Sequence, residues 1–356
     1  MRLALIGLSQ PGKSTLVSAL TGRAADLPGM GKSSEVMVPV PDPRLDWLTG
    51  IYQPEKTVPA AFACMELPSF DLREDSGRTA ARKLLEKTRT CDLLVCVVRG
   101  FSAPAVAPYR DRIDPKTDLA ELAGELLFAD LGMVATRIEN LEKQIKKPTD
   151  HQQRDRDELD LMRRIQAGLE NEQPVRKLVH SSKDLEITRP MGFLTAKPLL
   201  AMVNVNEDEA AAPPDLSGCA GADVPVISLC ARIESELAQL DTASRDEFMR
   251  DLGLPEPAAG RFARSCFDAL GLCSFMTVGR DEVRAWPIRK GTIAHKAAGV
   301  IHSDLERGFI RAEVFSYDDI KTLGGEKALK EAGKMRLEGK EYVVKDGDIL
   351  SIRFSV

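Results

Sequence analysis

Gly7-Leu-Ser-Gln-Pro-Gly12-Lys13-Ser14 fits the pattern G-x-x-x-x-G-K-[ST] and follows directly on the apolar run Leu3-Ala4-Leu5-Ile6. A strand that ends in a glycine-rich loop, and then enters a helix, points a ring of backbone N–H groups at one spot. The positive end of the helix dipole and the Lys13 ammonium add charge there, a combination suited to the polyphosphate tail of a nucleotide. Gly7 and Gly12 let the backbone turn without a Cβ in the way. The backbone of Ser9, Gln10, Pro11, Gly12, Lys13, Ser14 and Thr15 is read as the phosphate cradle. Lys13 is assigned to the β- and γ-phosphates as the catalytic cation, and the Ser14 hydroxyl to a Mg2+ ion. Thr15 opens a helix through Leu16, Val17 and Leu20.

Working outward, further short apolar runs alternate with helical patterns, which predicts an α/β fold. Leu93-Leu-Val-Cys-Val-Val98, Leu199-Leu-Ala-Met-Val203 and Val224-Pro-Val-Ile227 read as strands of a parallel sheet buried on both faces. Each is followed by polar residues: Arg99-Gly100, Asn204-Val-Asn-Glu207 and Ser228-Leu-Cys-Ala-Arg232. Ligands bind outside the carboxyl ends of such strands, so these segments and the glycine-rich loop are expected to share one crevice.

From about 118 to 189 the rhythm changes. Leu119, Leu122, Leu126, Val134, Ile138, Leu141 and Ile145 recur at three- and four-residue steps, and Leu159, Met162, Ile165 and Leu169 resume the stripe after Lys147-Pro148-Thr149-Asp150. The spacing predicts an inserted antiparallel helical hairpin with the stripe as the seam between its helices; partner docking is the alternative. The stretches 210–223 and 253–260 read as loops. From about Thr277 alternating segments, a helix-like stretch and the turn Lys345-Asp346-Gly347-Asp348 describe a small mixed β domain. Trp47, Trp286, Tyr109 and Tyr317 stand singly and are read as packing residues, and His302 as structural.

A chain of 356 residues with 43% hydrophobic and 29% charged residues reads as a multidomain globular protein. The net charge of −5 argues against wholesale coating of nucleic acid, and DNA is not expected as a partner. No run of eighteen apolar residues is present, and the chain enters its first strand at once, so neither membrane span nor leader is expected. Seven scattered cysteines (64, 91, 96, 219, 230, 266 and 273) form no C-x-x-C pair and read as free thiols of a cytoplasmic protein. The four histidines show no metal-ligand spacing.

Long strings of this chain resemble the YchF / Obg-like ATPase family. They are Val38-Pro-Val-Pro-Asp-Pro-Arg44-Leu45, Lys290-Gly-Thr292, Ala297-Ala-Gly-Val-Ile-His302-Ser-Asp304, Glu331-Ala-Gly-Lys334-Met-Arg-Leu-Glu-Gly-Lys340 and Val343-Val-Lys-Asp-Gly-Asp348. The resemblance implies a Ras-like P-loop NTPase domain (1–117 and 190–276), the helical hairpin inserted in it (118–189), and a C-terminal β-grasp module called TGS (277–356). It also implies association with the ribosome or ribosomal RNA, slow turnover, and stimulation by a partner or by K+. Where Ras-like GTPases carry Asn-Lys-x-Asp, this chain has Asn204-Val205-Asn206-Glu207, similar to the Asn-x-x-Glu form that goes with ATP preference in the family. Losing the Lys and moving the carboxylate out by one carbon weakens a paired guanine contact, so ATP is expected before GTP. Asn204, Val205 and Glu207 are thereby expected at the base, with the main chain of Cys230 and Ala231 behind it.

Two departures from the family stand out. The Asp-x-Ala-Gly loop is replaced by Glu66-Leu67-Pro68-Ser69; Glu66 is expected to keep the acidic charge near Mg2+, whereas Pro68 lacks an N–H and restricts the loop. Between Asp26 and Ser34 no threonine stands in register, leaving Ser33 or Ser34 as a substitute hydroxyl or the switch as degraded. Phe70 occupies the place of the Ras-like water-orienting Gln. Arg99 and Arg73 are arginine-finger candidates by proximity, with surface ion pairing as the default. Three readings follow: a slow Mg2+-dependent ATPase switch, a nucleotide-binding regulator without hydrolysis, and an RNA or ribosome adaptor working through the TGS module.

Overall fold

Continuous apolar runs need cover on both faces, and the computed structural model provides it by stacking them as neighbouring parallel strands. It describes residues 1–22, 33–146, 152–209, 216, 224–251 and 256–355. Most of the expected switch segment (apart from Ser33 and Ser34), the 147–150 turn, Cys219, most of the loop stretch 210–223 and residues 253–255 of the stretch 253–260 lie outside the described residues, and the expected loop at 258–260 is instead the start of the helix Ala258–Ala269. The strands are β1 (Arg2–Ile6), β2 (Ser34–Pro39), β3 (Lys56–Val58), β4 (Ala61–Glu66), β5 (Leu93–Arg99), β6 (Leu199–Asn204), β7 (Val226–Leu229), β8 (Leu272–Thr277), β9 (Glu282–Arg289), β10 (Phe309–Ser316), β11 (Arg336–Glu338) and β12 (Asp348–Phe354).

The first sheet has the order β2-β4-β1-β5-β6-β7, with β4, β1, β5, β6 and β7 paired in parallel. Every residue of β5 and β6 is buried. Parallel pairing with crossover helices puts the carboxyl ends of β1, β4, β5 and β6 on one side of the sheet, where the glycine-rich loop begins.

The expected hairpin is present as helices Pro115–Gln144 and Gln152–Glu170. The first starts on a cap: the Asp114 carboxylate accepts from the Thr117 N–H at 3.0 Å, and Pro115 takes the first helical position. The connection between the two helices is too short for anything but an antiparallel return. The apolar stripe, however, is not one seam. Leu119, Leu122 and Leu126 join the core of the first sheet, whereas Val134, Ile138, Leu141 and the partly buried Ile145 pack with Leu159, Met162, Ile165 and Leu169. A 30-residue helix spans about 45 Å, far longer than its partner of 19 residues, so its first half is free to cover the sheet.

The second sheet runs β11-β10-β12-β8-β9-β3. Its antiparallel β8–β9 hairpin, the helix Ala294–Ile301 packed over it, and the return of β12 parallel to β8 make the β-grasp arrangement. Small residues on that helix (Ala294, Ala297, Ala298) are fully buried, which lets it lie close to the strands. Strand β3, which the sequence did not announce, pairs in parallel with β9 through Lys56↔Glu282, Thr57↔Val283 and Val58↔Arg284. The preceding helix, Pro43–Tyr52, is capped by the Asp42 carboxylate, which accepts from Arg44 N–H at 2.9 Å. Arg44 in turn donates to Asp346 at 2.7 Å, and Trp47 meets Tyr317 edge-on at 5.6 Å. Two of the matched strings, 38–45 and 343–348, thus hold each other.

Trp286 stacks on Phe275, the Tyr109 hydroxyl accepts from Leu72 N–H, and the His302 ring accepts from Asp304 N–H as a helix cap, so these side chains have the packing and structural roles expected of them. The chain forms two compact units: Met1–Val36 with Ala63–Ala259, and Met37–Phe62 with Gly260–Val356. No helix among the described residues is long and apolar enough to cross a membrane.

Candidate functional site

β1 delivers the chain into the loop at Gly7, where a Cβ would come within 2.6 Å of the Val97 carbonyl oxygen. Gln10 adopts a left-handed φ of 54°, and Gly12 one of 91°. At Gly12 glycine is required twice, since a Cβ would also sit 2.2 Å from the Asn204 side-chain nitrogen. The helix Lys13–Thr21 starts at once, with Leu16 N–H bonded to the Gly12 carbonyl at 2.9 Å. Its first-turn amides therefore face the loop. Thr15 is half-buried on that turn.

Lys13 is 4% exposed, and its Nζ donates to Ser69 Oγ at 2.7 Å. Burial pushes its pKa down to about 8, against the opposing pull of Glu66. The Ser14 hydroxyl donates to Glu66 Oε1 at 2.5 Å. Hydroxyl and carboxylate oxygens of this kind are hard donors and suit Mg2+, which takes one or two protein ligands and completes its shell with phosphate and water. Among the described residues no group of three His, Cys, Asp or Glu could hold a metal, and a Mg2+ shared with phosphate does not need one. Ser14 and Glu66 fit the ion.

The acidic segment is stitched to the loop on both sides. Leu67 N–H bonds to Leu5 O at 3.2 Å, Phe70 N–H to Gly7 O at 2.9 Å, and Ser9 Oγ donates to the Phe70 carbonyl at 3.4 Å. The Phe70 ring is 2% exposed. Between these anchors Pro68 has no N–H, and Ser69 is exposed.

On the other side, Asn204 Nδ2 donates to the Pro11 carbonyl at 3.1 Å, and its Oδ1 accepts from Ala231 N–H at 2.9 Å. One donor and one acceptor partner fix the amide's orientation. Asn204 thereby braces the phosphate loop against the start of the helix Ala231–Leu237, and the Ala231 amide is spent on that bond. Val205 and Cys230 are buried beside it. The Glu207 carboxylate is exposed, 3.9 Å from Arg232, and remains directed to solvent. Lys13, Ser14, Glu66 and Ser69 come together at one end of the site; Asn204, Val205, Cys230 and Ala231 support it from the other.

Arg99 corrects an expectation. It is 4% exposed and forms no surface ion pair among the described residues; its guanidinium donates to the carbonyls of Phe101, Val106 and Ala107 and lies 4.5 Å from the Phe101 ring. It shapes the loop after β5, whose Phe101 ring packs near Gly12. The one available signal was an arginine directly after a fully apolar strand. Arg73 pairs with Asp71 at the surface, as the default reading had it.

Residues 272–355 match the family YchF-GTPase_C, described as a protein of unknown function. The chain is 37% identical over 366 residues to "Ribosome-binding ATPase YchF" of Bacillus subtilis, covering 99% of this chain and 98% of that one. It is 34% identical over 368 residues to "Obg-like ATPase 1" of Oryza sativa subsp. japonica, covering 100% and 92%. Among solved structures, "Structure of the Schizosaccharomyces pombe YchF GTPase" superposes with a TM-score of 0.84 at 28% identity, covering 99% of this chain and 97% of that one. With 37% and 34% identity over essentially the whole chain to the first two of these relatives and a TM-score of 0.84 to the third, this chain belongs to the YchF / Obg-like ATPase family.

Proposed function

We propose that this chain is a slow, Mg2+-dependent nucleoside triphosphate hydrolase of the cytoplasm that prefers ATP, accepts GTP, and works as a ribosome-associated switch. The observation that carries it is the pairing of Lys13 with Ser69 and of Ser14 with Glu66 at the mouth of the glycine-rich loop. Phosphoryl transfer asks the protein for positioning and charge neutralisation more than for covalent chemistry. The loop amides from Ser9 to Thr15 would hold the phosphates, with Lys13 reaching the β- and γ-phosphates. Ser14 and Glu66 would hold Mg2+, which when bound draws off phosphate charge. Asn204 keeps the loop in shape while Val205, Glu207, Cys230 and Ala231 border the base. The preference for ATP is supported by the absence of an Asn-Lys-x-Asp segment at 204–207. The relatives' names, a ribosome-binding ATPase and a GTPase, support both the ribosomal partner and the tolerance of either base. K+ stimulation belongs to the same proposal, as does the division of labour among 1–117 with 190–276, 118–189 and 277–356.

A second reading, nucleotide binding with little hydrolysis, is favoured by one observation: Phe70 is buried and Pro68 lacks an N–H, so neither orients an attacking water. Phosphate release by the purified chain, with ribosomes present, separates the two. Release above that of Lys13→Ala is the expected result. Saturable ATP binding with release equal to that variant would establish the second reading instead.

A further inference from the structure

We propose that the turn Tyr109–Asp111 is a conformational latch that joins the segment after β4 to the long helix Pro115–Gln144 and opens when polyphosphate occupies the glycine-rich loop. This rests on the phosphate-loop reading above.

The latch closes on Leu72, a fully buried residue two places beyond Phe70, whose own N–H is bonded to Gly7 O. Leu72 N–H donates to the Tyr109 hydroxyl at 3.2 Å, and the Leu72 carbonyl accepts from the Arg110 guanidinium at 3.4 Å. Both main-chain polar groups of one residue thus go to side chains of a single turn. The helix Asp75–Glu86 follows closely: a Cβ at Gly77 would sit 1.9 Å from the Asp71 carbonyl oxygen, so the segment and this helix shift together.

The same turn reaches the long helix. Arg110 donates to Glu121 at 2.8 Å, and Arg78 donates to the same carboxylate oxygen at 3.4 Å. Arg112, next in the chain, pairs with Asp118 at 3.2 Å. Asp118 and Glu121 stand on the first two turns of the long helix. Arg78 and Arg82 also bond the buried Glu125, while Ala81 and Leu85 are the buried residues of the helix Asp75–Glu86. Contact between the two helices is therefore largely ionic. Ion pairs at a part-exposed seam tolerate a small shift that interlocked apolar side chains resist.

The turn does not hold this shape unaided. Arg110 and Asp111 both adopt a left-handed backbone, with φ of 53° and 54°, and both carry a Cβ. Such strain persists only where the surroundings over-determine it, here through the two bonds at Leu72 and the one at Glu121. Once Leu72 shifts, the turn relaxes and Glu121 loses a partner, which gives a closed and an open state. Lys13 selects between them. Its Nζ holds Ser69 Oγ at 2.7 Å, three residues before Leu72. Phosphate oxygens draw that ammonium to themselves and loosen the tie, so a bound nucleotide favours the open state.

The test is hydrogen exchange over residues 117–122 of the full chain, free and saturated with a non-hydrolysable ATP analogue and Mg2+, with binding confirmed by calorimetry. In the natural chain the analogue is expected to speed exchange there by about tenfold, the worth of one lost hydrogen bond. Tyr109→Phe, which keeps the ring and loses the hydroxyl, should exchange that fast without nucleotide. Asp111→Gly, which accepts the left-handed backbone without strain, should act in the opposite direction and show less of the rise with the analogue. Unchanged exchange in a natural chain that binds the analogue, natural rates in Tyr109→Phe, or faster exchange in Asp111→Gly would overturn the latch and leave the nucleotide reading standing. A natural chain that does not bind the analogue would overturn both.

Discussion

Lys13 carries its charge into a place with almost no solvent, and that single fact gives the site a pH signature. Its pKa falls from 10.5 to about 8 because burial disfavours the ammonium. Between about pH 8 and 10.5 the unfolded chain therefore holds a proton the folded chain lacks, so this group makes the free protein more stable as pH rises through that window. Polyphosphate acts in the opposite sense, since negative charge beside the ammonium raises its pKa. Nucleotide binding above pH 8 should then take up protons, and affinity should fall as pH rises from 8 to 9.5. Titration in two buffers of different ionisation enthalpy reads the uptake directly. Lys13→Arg, which stays charged, is expected to abolish it; uptake that persists in Lys13→Arg would assign the proton to another group. The importance of Lys13 and Ser14 was legible from spacing alone. Their partners were less so, because Ser69 and Glu66 reach them only through the pairing of β1 with β4.

At the scale of elements, the long helix Pro115–Gln144 carries one fully buried carboxylate that ties it to the segment before β6. Asp130 is completely buried and accepts from Leu194 N–H at 3.0 Å, from Thr195 N–H and Oγ1 at 2.8 Å each, and from Arg89 at 3.0 Å. Every oxygen is satisfied, so the charge is tolerated where an unpaired one would not be. Asp130→Ala strands two amides, a hydroxyl and a half-buried guanidinium. Chemical denaturation of the full chain is expected to show a loss of about 3–5 kcal/mol; a change within 1 kcal/mol, a small effect for so buried a group, would mean that water replaces the carboxylate. The helix pattern was plain in the sequence, yet its division between two cores was not. Periodicity records which face is apolar, and it does not say what covers that face.

At the scale of the whole molecule, the β-grasp sheet is completed by residues from far upstream. β3 extends its edge at β9, and Leu45 and Leu48 of the Pro43–Tyr52 helix are buried as that helix packs on β9, where Val283 and Ala285 are also buried. Tyr52 bonds Glu326, and Arg44 bridges Asp42 and Asp346. A fragment of residues 260–356 should melt at a temperature lower by about 5 °C or more than the same fragment mixed with a 37–62 peptide, given that 1 kcal/mol moves the Tm of a domain this size by about 4–8 °C. Identical melting curves would show that the upstream segment adds nothing to the unit. Motif chemistry, strand runs and helix stripes could be read along the chain because each depends on neighbours a few residues apart: the phosphate loop, the parallel core strands and the alternating C-terminal segments all declare themselves locally. The buried role of Arg99, the Lys13–Ser69 contact and the recruitment of 37–62 into the β-grasp unit waited for the folded chain, since each joins residues whose proximity is created by strand pairing and packing and leaves no periodic trace in the order of amino acids.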